Sequence, residues 1–175
     1  MPHRRAALAF ALATLTGCAP AAMHVTVVER RPLMTAAEAQ AFFADRTRMS
    51  FMPIHGTQVA YTAPDGRVFL WYPGNGVILP GRWGIAEGAS VHPWAGIPPG
   101  TQFVCFQYGP NTFNPATGAV GGQPQCQQVD IFRRWQVEDA PGDVFGLSRR
   151  ATPPFVLPRE RTSLAVLAAQ AGLRP

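Results

Sequence analysis

Lysine is absent from this chain, and charge of either sign is scarce. All fifteen basic residues are arginine, and charged residues make up 14% of the 175 residues, against a usual share of about 25%. The pairs Arg30-Arg31, Arg133-Arg134 and Arg149-Arg150 are spread along the chain, whereas a nucleic-acid-binding protein gathers its basic residues on one face or helix. The net charge of +5 therefore does not indicate a nucleic-acid partner.

Long apolar runs are also missing. None reaches the roughly 18 residues that a membrane-spanning helix needs, which excludes a polytopic membrane protein. Glycine (17) and proline (18) together are one residue in five, short of the roughly 25–30% that marks low-complexity disorder. With 47% hydrophobic residues the composition is that of a globular protein, and the length predicts a single domain.

The first eighteen residues have the order of an export signal. A positive segment, His3-Arg4-Arg5, precedes an apolar or small-residue stretch at 6–16 that is too short to span a bilayer and right for a signal peptide. It leads into Leu15-Thr16-Gly17-Cys18, which resembles the bacterial lipobox: an aliphatic residue, two small residues and a cysteine. The resemblance implies cleavage before Cys18, a diacylglyceryl group on its sulfur and an acylated α-amine. The alternative is an ordinary secretory signal cut after Ala19 or Ala22.

The same resemblance predicts where the chain is anchored and how it is organised. One acyl chain binds a membrane only marginally, so the several chains of a lipoprotein give a nearly permanent anchor. In lipoproteins an acidic residue after the cysteine favours the inner membrane; Ala19 stands there, so the resemblance implies the outer membrane with the domain facing the periplasm. We expect a signal peptide at 1–17, a lipid-anchored tether at 18–34, a single β-rich domain at 35–150 and a proline-rich tail with a short helix at 151–175.

Two cysteines, Cys105 and Cys126, remain once Cys18 is assigned to the lipid. An exported compartment is oxidising and favours a disulfide between them. A redox dithiol or a metal site fits less well, because the spacing is not C-x-x-C and no histidine lies at a metal-ligand interval from either cysteine. We therefore predict a structural disulfide.

Turn and alternation signals predict a mainly β fold. Thr35 and Glu38 have the spacing of a capping box, which predicts an N-terminal helix at about 35–47. From Gly56 the pattern changes to short segments rich in aromatic and β-branched residues, separated by turns that contain glycine and proline. The predicted strands are 57–63, 67–72, 77–79, 82–86, 101–108, 127–132 and 135–137, with a break or bulge at Pro80-Gly81 and a loop at 111–125. This pattern is typical of a small antiparallel barrel or sandwich, and the helical spacing of Leu164 and Leu167 adds a short C-terminal helix.

The sequence contains no recognisable catalytic, metal-binding or cofactor-binding pattern. The histidines of the mature chain, His24, His55 and His92, lie in no zinc-binding motif, and we interpret His55 and His92 as surface or hydrogen-bonded polar residues. The G-x-S-x-G, Walker and dinucleotide-binding glycine patterns are missing as well. The sequence therefore predicts no catalytic residue, no metal and no cofactor, and it favours a non-enzymatic role without deciding the point.

Aromatic residues are concentrated in the predicted β region. Large side chains of this kind build the core of a small domain, which buries a limited fraction of its surface. Alternatively, they line a groove for a glycan, peptide or lipid ligand. If there is such a groove, the candidate ligand-contacting residues are Trp71, Arg82, Trp83 and Trp94.

Two further resemblances rest on short motifs. Gly81-Arg82-Trp83 resembles the G-x-W motif of lipocalins and of periplasmic barrel-type protease inhibitors, which are small antiparallel barrels and include lipoproteins among their bacterial members. More broadly, the Gly81–Trp83 segment together with Phe69-Leu70-Trp71-Tyr72-Pro73, Cys105-Phe106-Gln107-Tyr108 and Cys126 looks like uncharacterised exported proteins of alphaproteobacteria, which have no known activity.

These observations favour a periplasm-facing outer-membrane lipoprotein that acts as a binding or envelope accessory module of unknown ligand. A barrel-type protease inhibitor or lipocalin-like carrier is the second interpretation, and a cell-wall enzyme is the third. The expected partners are the membrane, through the lipid anchor, and an envelope protein, glycan or lipid ligand, with no nucleic acid.

Replacing the cysteine of the lipobox tests the anchor directly. In a Cys18→Ser variant the sulfur that would carry the lipid is gone, so we expect the protein to move from the membrane fraction to the soluble fraction. The measurement is extraction of membranes with high salt and with carbonate. A variant that still resists both extractions would refute lipidation at this residue.

Overall fold

The computed structural model describes residues 33–91 and 96–173. The described residues belong to one compact unit. The predicted signal peptide, the lipid-attachment residue Cys18, most of the tether and the candidate ligand-contacting residue Trp94 lie outside the described residues.

A seven-stranded antiparallel sheet forms the framework of this unit, which confirms the predicted mainly β class. Its strands, in chain order, are β1 (Arg46–Met52), β2 (Gly56–Thr62), β3 (Arg67–Trp71), β4 (Leu79–Glu87), β5 (Gln102–Tyr108), β6 (Gln125–Gln128) and β7 (Gln136–Pro141). The order across the sheet is β6-β5-β4-β3-β2-β1-β7. The helices are α1 (Ala36–Phe43), α2 (Gly88–Val91), α3 (Val129–Trp135) and α4 (Leu164–Gln170), with a single 3-10 turn at Leu147–Arg149.

The link between the two edge strands requires the sheet to curl. Strands β6 and β7 lie at opposite edges, so a flat sheet would separate them by about 29 Å at the usual strand spacing. The seven residues of α3 that join them span only about 10 Å as a helix. The sheet therefore curls into a half-barrel, and α3 connects its edges. We call the sheet face that meets α1 and α3 the inner face, and the opposite one the outer face.

The N-terminal helix begins as predicted but ends earlier. Thr35 and Glu38 form the capping box, in which each side chain accepts from the backbone N–H of the other. The predicted extension to residue 47 is wrong, because the chain turns at Asp45, which has a φ of 53°, and enters β1 at Arg46. Pairing with β2 on one side and β7 on the other holds residues 46–52 in an extended conformation.

Two other predicted elements are corrected by the structure. Residues 129–132 were expected in a strand but lie in α3, where Val129 and Phe132 contact the inner-face core. Strand β4 also runs without a break through Pro80 and Gly81. Proline is tolerated there because pairing with β5 begins only at Gly81, so Pro80 has a strand neighbour on one side alone.

Each face of the sheet carries its own core, and the C-terminal segment supplies much of the outer one. The inner-face core consists of Ala39, Phe43, Val68, Trp83, Val104 and Val129. The outer-face core contains Met49, Val59 and Trp71 of the sheet together with Phe145, Leu147, Leu157, Leu164 and Leu167. The folded unit therefore does not end at residue 150, since the segment at 151–173 packs against the sheet. The predicted short C-terminal helix is present as α4, capped by the Ser163 side chain.

The predicted disulfide joins β5 to β6. Cys105 and Cys126 stand directly opposite each other in the antiparallel register, and their sulfur atoms are 2.02 Å apart. The bond therefore fixes the short edge strand β6 immediately before the chain enters α3.

Removing this bond should lower stability. Closing a loop of 21 residues stabilises a fold by about 3 kcal/mol in the chain-entropy model, which corresponds to roughly 6–12 °C in Tm for a domain of this size. We expect a Cys105→Ser variant to melt lower by that margin and to show one reactive thiol. Unchanged melting would contradict a stabilising role for the bond.

A pair of neighbouring substitutions tests whether α4 belongs to the core. Leu167 is 1% exposed and Val166 is 56% exposed on the same helix. Leu167→Ala should cost about 2–5 kcal/mol of unfolding free energy in chemical denaturation, because it leaves a cavity. Val166→Ala should change it by less than about 0.5 kcal/mol. Equal small effects would show that α4 is not an integral part of the fold.

Candidate functional site

A cavity of about 350 Å³ opens on the inner face of the half-barrel. That volume lies within the range of small-molecule sites, and most of the wall is apolar or aromatic. Residues of β1 to β4, with the turn between β1 and β2 and the segment after β3, form one side. Residues of β5 and β6, the loop between them and helix α3 form the other. The lining side chains include Arg48, His55, Ala60, Leu70, Tyr72, Leu79, Phe106, Tyr108, Phe113 and Trp135.

The strand register places an arginine at the end of an apolar row. Arg48 of β1 lies opposite Ala60, Ala60 opposite Leu70, and Leu70 opposite Leu79. Cross-strand neighbours share a face, so these four side chains form one line along the cavity wall. The line from Arg48 to Leu79 is about 14 Å long at the usual strand spacing. The cavity is therefore amphipathic, with a cation at one end of an aliphatic track.

Arg48 is buried and is held by an amide rather than by a carboxylate. Arg48 is 3% exposed, and its Nη1 donates to Oε1 of Gln136. Gln136 in turn donates from Nε2 to Oδ1 of Asp139 at 2.9 Å, and the other oxygen of Asp139 pairs with Arg46 at 2.8 Å. The nearby negative charge of Asp139 is thus already engaged by Arg46. Arg48 makes no ion pair with Asp139 in the described part of the chain; the Gln136 side chain lies between them and hydrogen-bonds to both.

Two nitrogens of Arg48 make no hydrogen bond within residues 33–91 and 96–173. These are Nε and Nη2, and both are covered from solvent. The guanidinium carbon lies 4.0 Å from the ring centre of Phe42 and 4.6 Å from that of Phe43, within range of cation–π attraction. Burial lowers the pKa of Arg48 to about 10, with Asp139 opposing and Arg46 adding to the shift. The side chain is therefore still charged at neutral pH.

Another part of the cavity holds a buried histidine–tyrosine pair. Nδ1 of His55, in the turn between β1 and β2, lies 3.0 Å from the hydroxyl of Tyr72, and both residues are buried. Burial, and to a lesser extent the charge of Arg159, lowers the pKa of His55. The imidazole is thus neutral at neutral pH. This placement agrees with the interpretation of His55 as a hydrogen-bonded polar residue.

The glycine of the G-x-W segment has a steric role at the cavity wall. A Cβ atom on Gly81 would lie 2.5 Å from the carbonyl oxygen of Gln107 and 2.8 Å from the ring of Tyr108. Tyr108 faces Gly81 in the register, and burial raises the pKa of its phenol. The absence of a side chain at position 81 therefore lets the Tyr108 ring lie close against β4.

Exposed aromatic side chains stand at the rim of the cavity. Phe113 is 64% exposed and Trp135 is 36% exposed, and both line the opening. The loop that carries Phe113 is a small hairpin, with Phe113 bridged to Val120 and the N–H of Asn114 donating to the carbonyl of Ala119 at 2.9 Å. This apolar rim is open to solvent, as an entrance for an apolar ligand would be.

A second cavity, of about 490 Å³, also includes Trp135 in its wall. Its wall includes Arg134 and Arg161, which are both exposed and therefore hydrated. We take the inner-face cavity as the candidate site because its wall includes the buried polar side chains of Arg48, His55 and Tyr72, and hydrogen bonds and charges act more strongly away from water.

Three of the four ligand-contacting residues predicted from the sequence lie away from this cavity. Trp71 is fully buried in the outer-face core and donates to the carbonyl of Phe155 at 3.1 Å. Trp83 is in the inner-face core and donates to the carbonyl of Ala63 at 2.9 Å. Arg82 is exposed on the outer face, and none of these three lines the cavity. Trp71 and Trp83 are both core residues, as the interpretation of the aromatic residues as core side chains predicted.

Sequence reasoning missed Arg48 because it ended the N-terminal helix at about residue 47 and predicted no strand between that residue and residue 57. In the strand that the structure shows, alternate residues share a face, so Arg46, Arg48 and Ser50 lie on the same side of the sheet. Tyr72 was noted only as part of an aromatic segment, and no local signal connects it with His55.

Within the part of the chain that the structure describes, no group of three or more His, Cys, Asp or Glu side chains could hold a metal ion. In the same part, no helix is long and apolar enough to cross a membrane. Comparison with protein-family models, with curated proteins and with solved structures found no match.

The buried imidazole should make stability depend on pH. A lowered pKa in the folded state means that the unfolded chain binds a proton that the folded protein does not, so stability falls as pH drops below about 6.5. We expect the Tm of the wild type to fall more steeply than that of His55→Gln between about pH 7.5 and 5.5, above the carboxylate range. The other histidines are the same in both proteins, so their contribution cancels in the comparison. If the Tm of both proteins falls by the same amount over this pH range, His55 is not the source of the pH dependence.

Proposed function

We propose that this chain is a lipid-anchored binding module of the bacterial envelope, whose half-barrel cavity takes a small ligand with a substantial apolar part. The observation that carries the proposal is the inner-face cavity, with its apolar wall, its few buried polar groups and its exposed aromatic rim. The lipobox-like segment ending at Cys18 supports the anchor and the envelope address.

Among the binding functions, the cavity favours a carrier or sensor of small molecules. A carrier needs a hollow between its strands, and this half-barrel has one because α3 and the hairpin at 113–120 cover part of the inner face without filling it. A ligand of drug or lipid size is largely buried in a cavity of this volume. An outer-membrane anchor would place such a carrier where it meets lipids and other envelope components.

An envelope enzyme is the second candidate, and one observation favours it. His55 and Tyr72 are within hydrogen-bond distance of each other and line the same cavity, so they could act as a general acid and base. The described lining residues include no carboxylate. An activity with a generic ester or glycoside substrate that His55→Gln abolishes, without loss of folding, would establish this function in place of binding alone.

Filling the cavity tests the binding function. Ala60 lies in the middle of the inner-face wall, whereas Ala165 is exposed on α4. We expect the neutral fluorescent probe N-phenyl-1-naphthylamine to bind the wild type and Ala165→Phe alike, and Ala60→Phe at least about tenfold more weakly, since the new ring occupies ligand space. Circular dichroism would check that each variant is folded.

A probe that fails to bind the wild type, or that binds both variants equally, would contradict the proposed cavity function.

A further inference from the structure

The charge of Arg48 has no carboxylate of its own. Asp139 gives one oxygen to Gln136 and the other to Arg46, and the cavity lining described here contains no acidic side chain. Nε and Nη2 of Arg48 are buried without a partner among the described residues, and water does not reach them. A buried charged donor without a partner is costly, so this end of the cavity is suited to an anion that the ligand brings.

The two unpartnered nitrogens form one edge of the guanidinium group. On that edge the N–H of Nε and one N–H of Nη2 point in parallel, which matches two oxygens of one carboxylate or phosphate. The opposite nitrogen, Nη1, is already held by Gln136. The rings of Phe42 and Phe43 contact the same guanidinium. The group is therefore fixed in position before a ligand arrives, which lowers the entropic cost of binding.

The neighbours of Arg48 along the register are suited to an alkyl chain. Ala60, Leu70 and Leu79 follow it in the cross-strand row and line the same cavity. A ligand whose acid lies at Arg48 would lay its chain along these residues. The aromatic rim at Phe113 and Trp135 offers an apolar entrance.

We infer that Arg48 anchors the acidic head group of an amphiphile, either a carboxylate or a phosphate monoester, whose alkyl chain lies along Ala60, Leu70 and Leu79. This inference rests on the proposed binding function and specifies its ligand class. Nε and Nη2 are covered from solvent in this structure, so binding of the head group requires neighbouring side chains to move aside.

A series of ligands with one chain and different head groups tests the inference. The probes are dodecanoate, dodecyl phosphate, dodecan-1-ol and dodecyltrimethylammonium, each below its micelle concentration, competing with bound N-phenyl-1-naphthylamine. The protein is the full-length chain carrying Cys18→Ser, so that no detergent is needed. We expect at least one acid to bind at least about tenfold more tightly than the alcohol, and the cation to bind most weakly. The tighter of the two acids identifies the head group.

Variants then assign the preference to one side chain. Arg48→Met should abolish the difference between acid and alcohol, and Arg48→Lys, which keeps the charge but loses the parallel donors, should restore only part of it. Arg82→Gln removes an equal charge from the outer face and should leave the whole series unchanged. Since Arg48→Met removes two buried unpartnered donors, its Tm should equal or exceed that of the wild type.

The outcomes separate the inference from the proposed function. If acid and alcohol bind the wild type equally, or if Arg48→Met keeps the preference, the role of Arg48 is refuted and the cavity remains a binding site. If no member of the series and no probe binds the wild type, both are refuted. The comparison of ligands in the wild type is decisive even if an Arg48 variant fails to fold.

Discussion

The short connection from β6 to β7 is the constraint on which the rest of this structure depends. Seven helical residues join the two outermost strands of a seven-stranded sheet, so the sheet must curl. Both ends of the connection are fixed: the disulfide at Cys126 ties β6 to β5 just before α3, and pairing of β7 with β1 holds the other end. Phe132 of α3 packs on Phe43 and Phe106 at ring distances of 5.1 and 5.8 Å. The inner-face cavity lies between the curled sheet and α3.

The two faces of the curled sheet are covered to different extents by the rest of the described chain. The outer face of β1, β2 and β3 is covered by the C-terminal segment, and large side chains such as Trp71, Phe145 and Leu167 fill that contact. Among the described residues, two short helices and a hairpin cover the inner face, and part of its surface stays accessible as the cavity. The rings of Phe42 and Phe43 and the amide of Gln136 contact the buried guanidinium of Arg48, whose Nε and Nη2 have no hydrogen-bond partner among the described residues.

Local signals predicted much of the framework and little of the site. The capping box at Thr35 and the glycine-containing turn between the predicted strands 57–63 and 67–72 depend on nearby residues, and both are present in the structure. The pairing of Cys105 with Cys126, predicted from the expected oxidising compartment, is present as well. Helix α3 contains β-branched and aromatic residues that favour a strand, but Val129 and Phe132 pack into the inner-face core from a helix, and this tertiary contact overrides the local preference. Arg48 and Tyr72 line the cavity because the folded chain buries them there, and a short stretch of sequence does not reveal such long-range contacts.

The most direct measurement of the central claim is a two-dimensional ¹H–¹⁵N NMR titration of the labelled protein with dodecanoate, in which the Nε–H signal of Arg48 is followed. If the cavity is an anionic amphiphile site, that signal should move downfield to saturation, together with the amide signals of Ala60, Leu70 and Leu79. If those signals stay in place while residues of the outer face shift instead, the cavity is not the ligand site and the account is wrong.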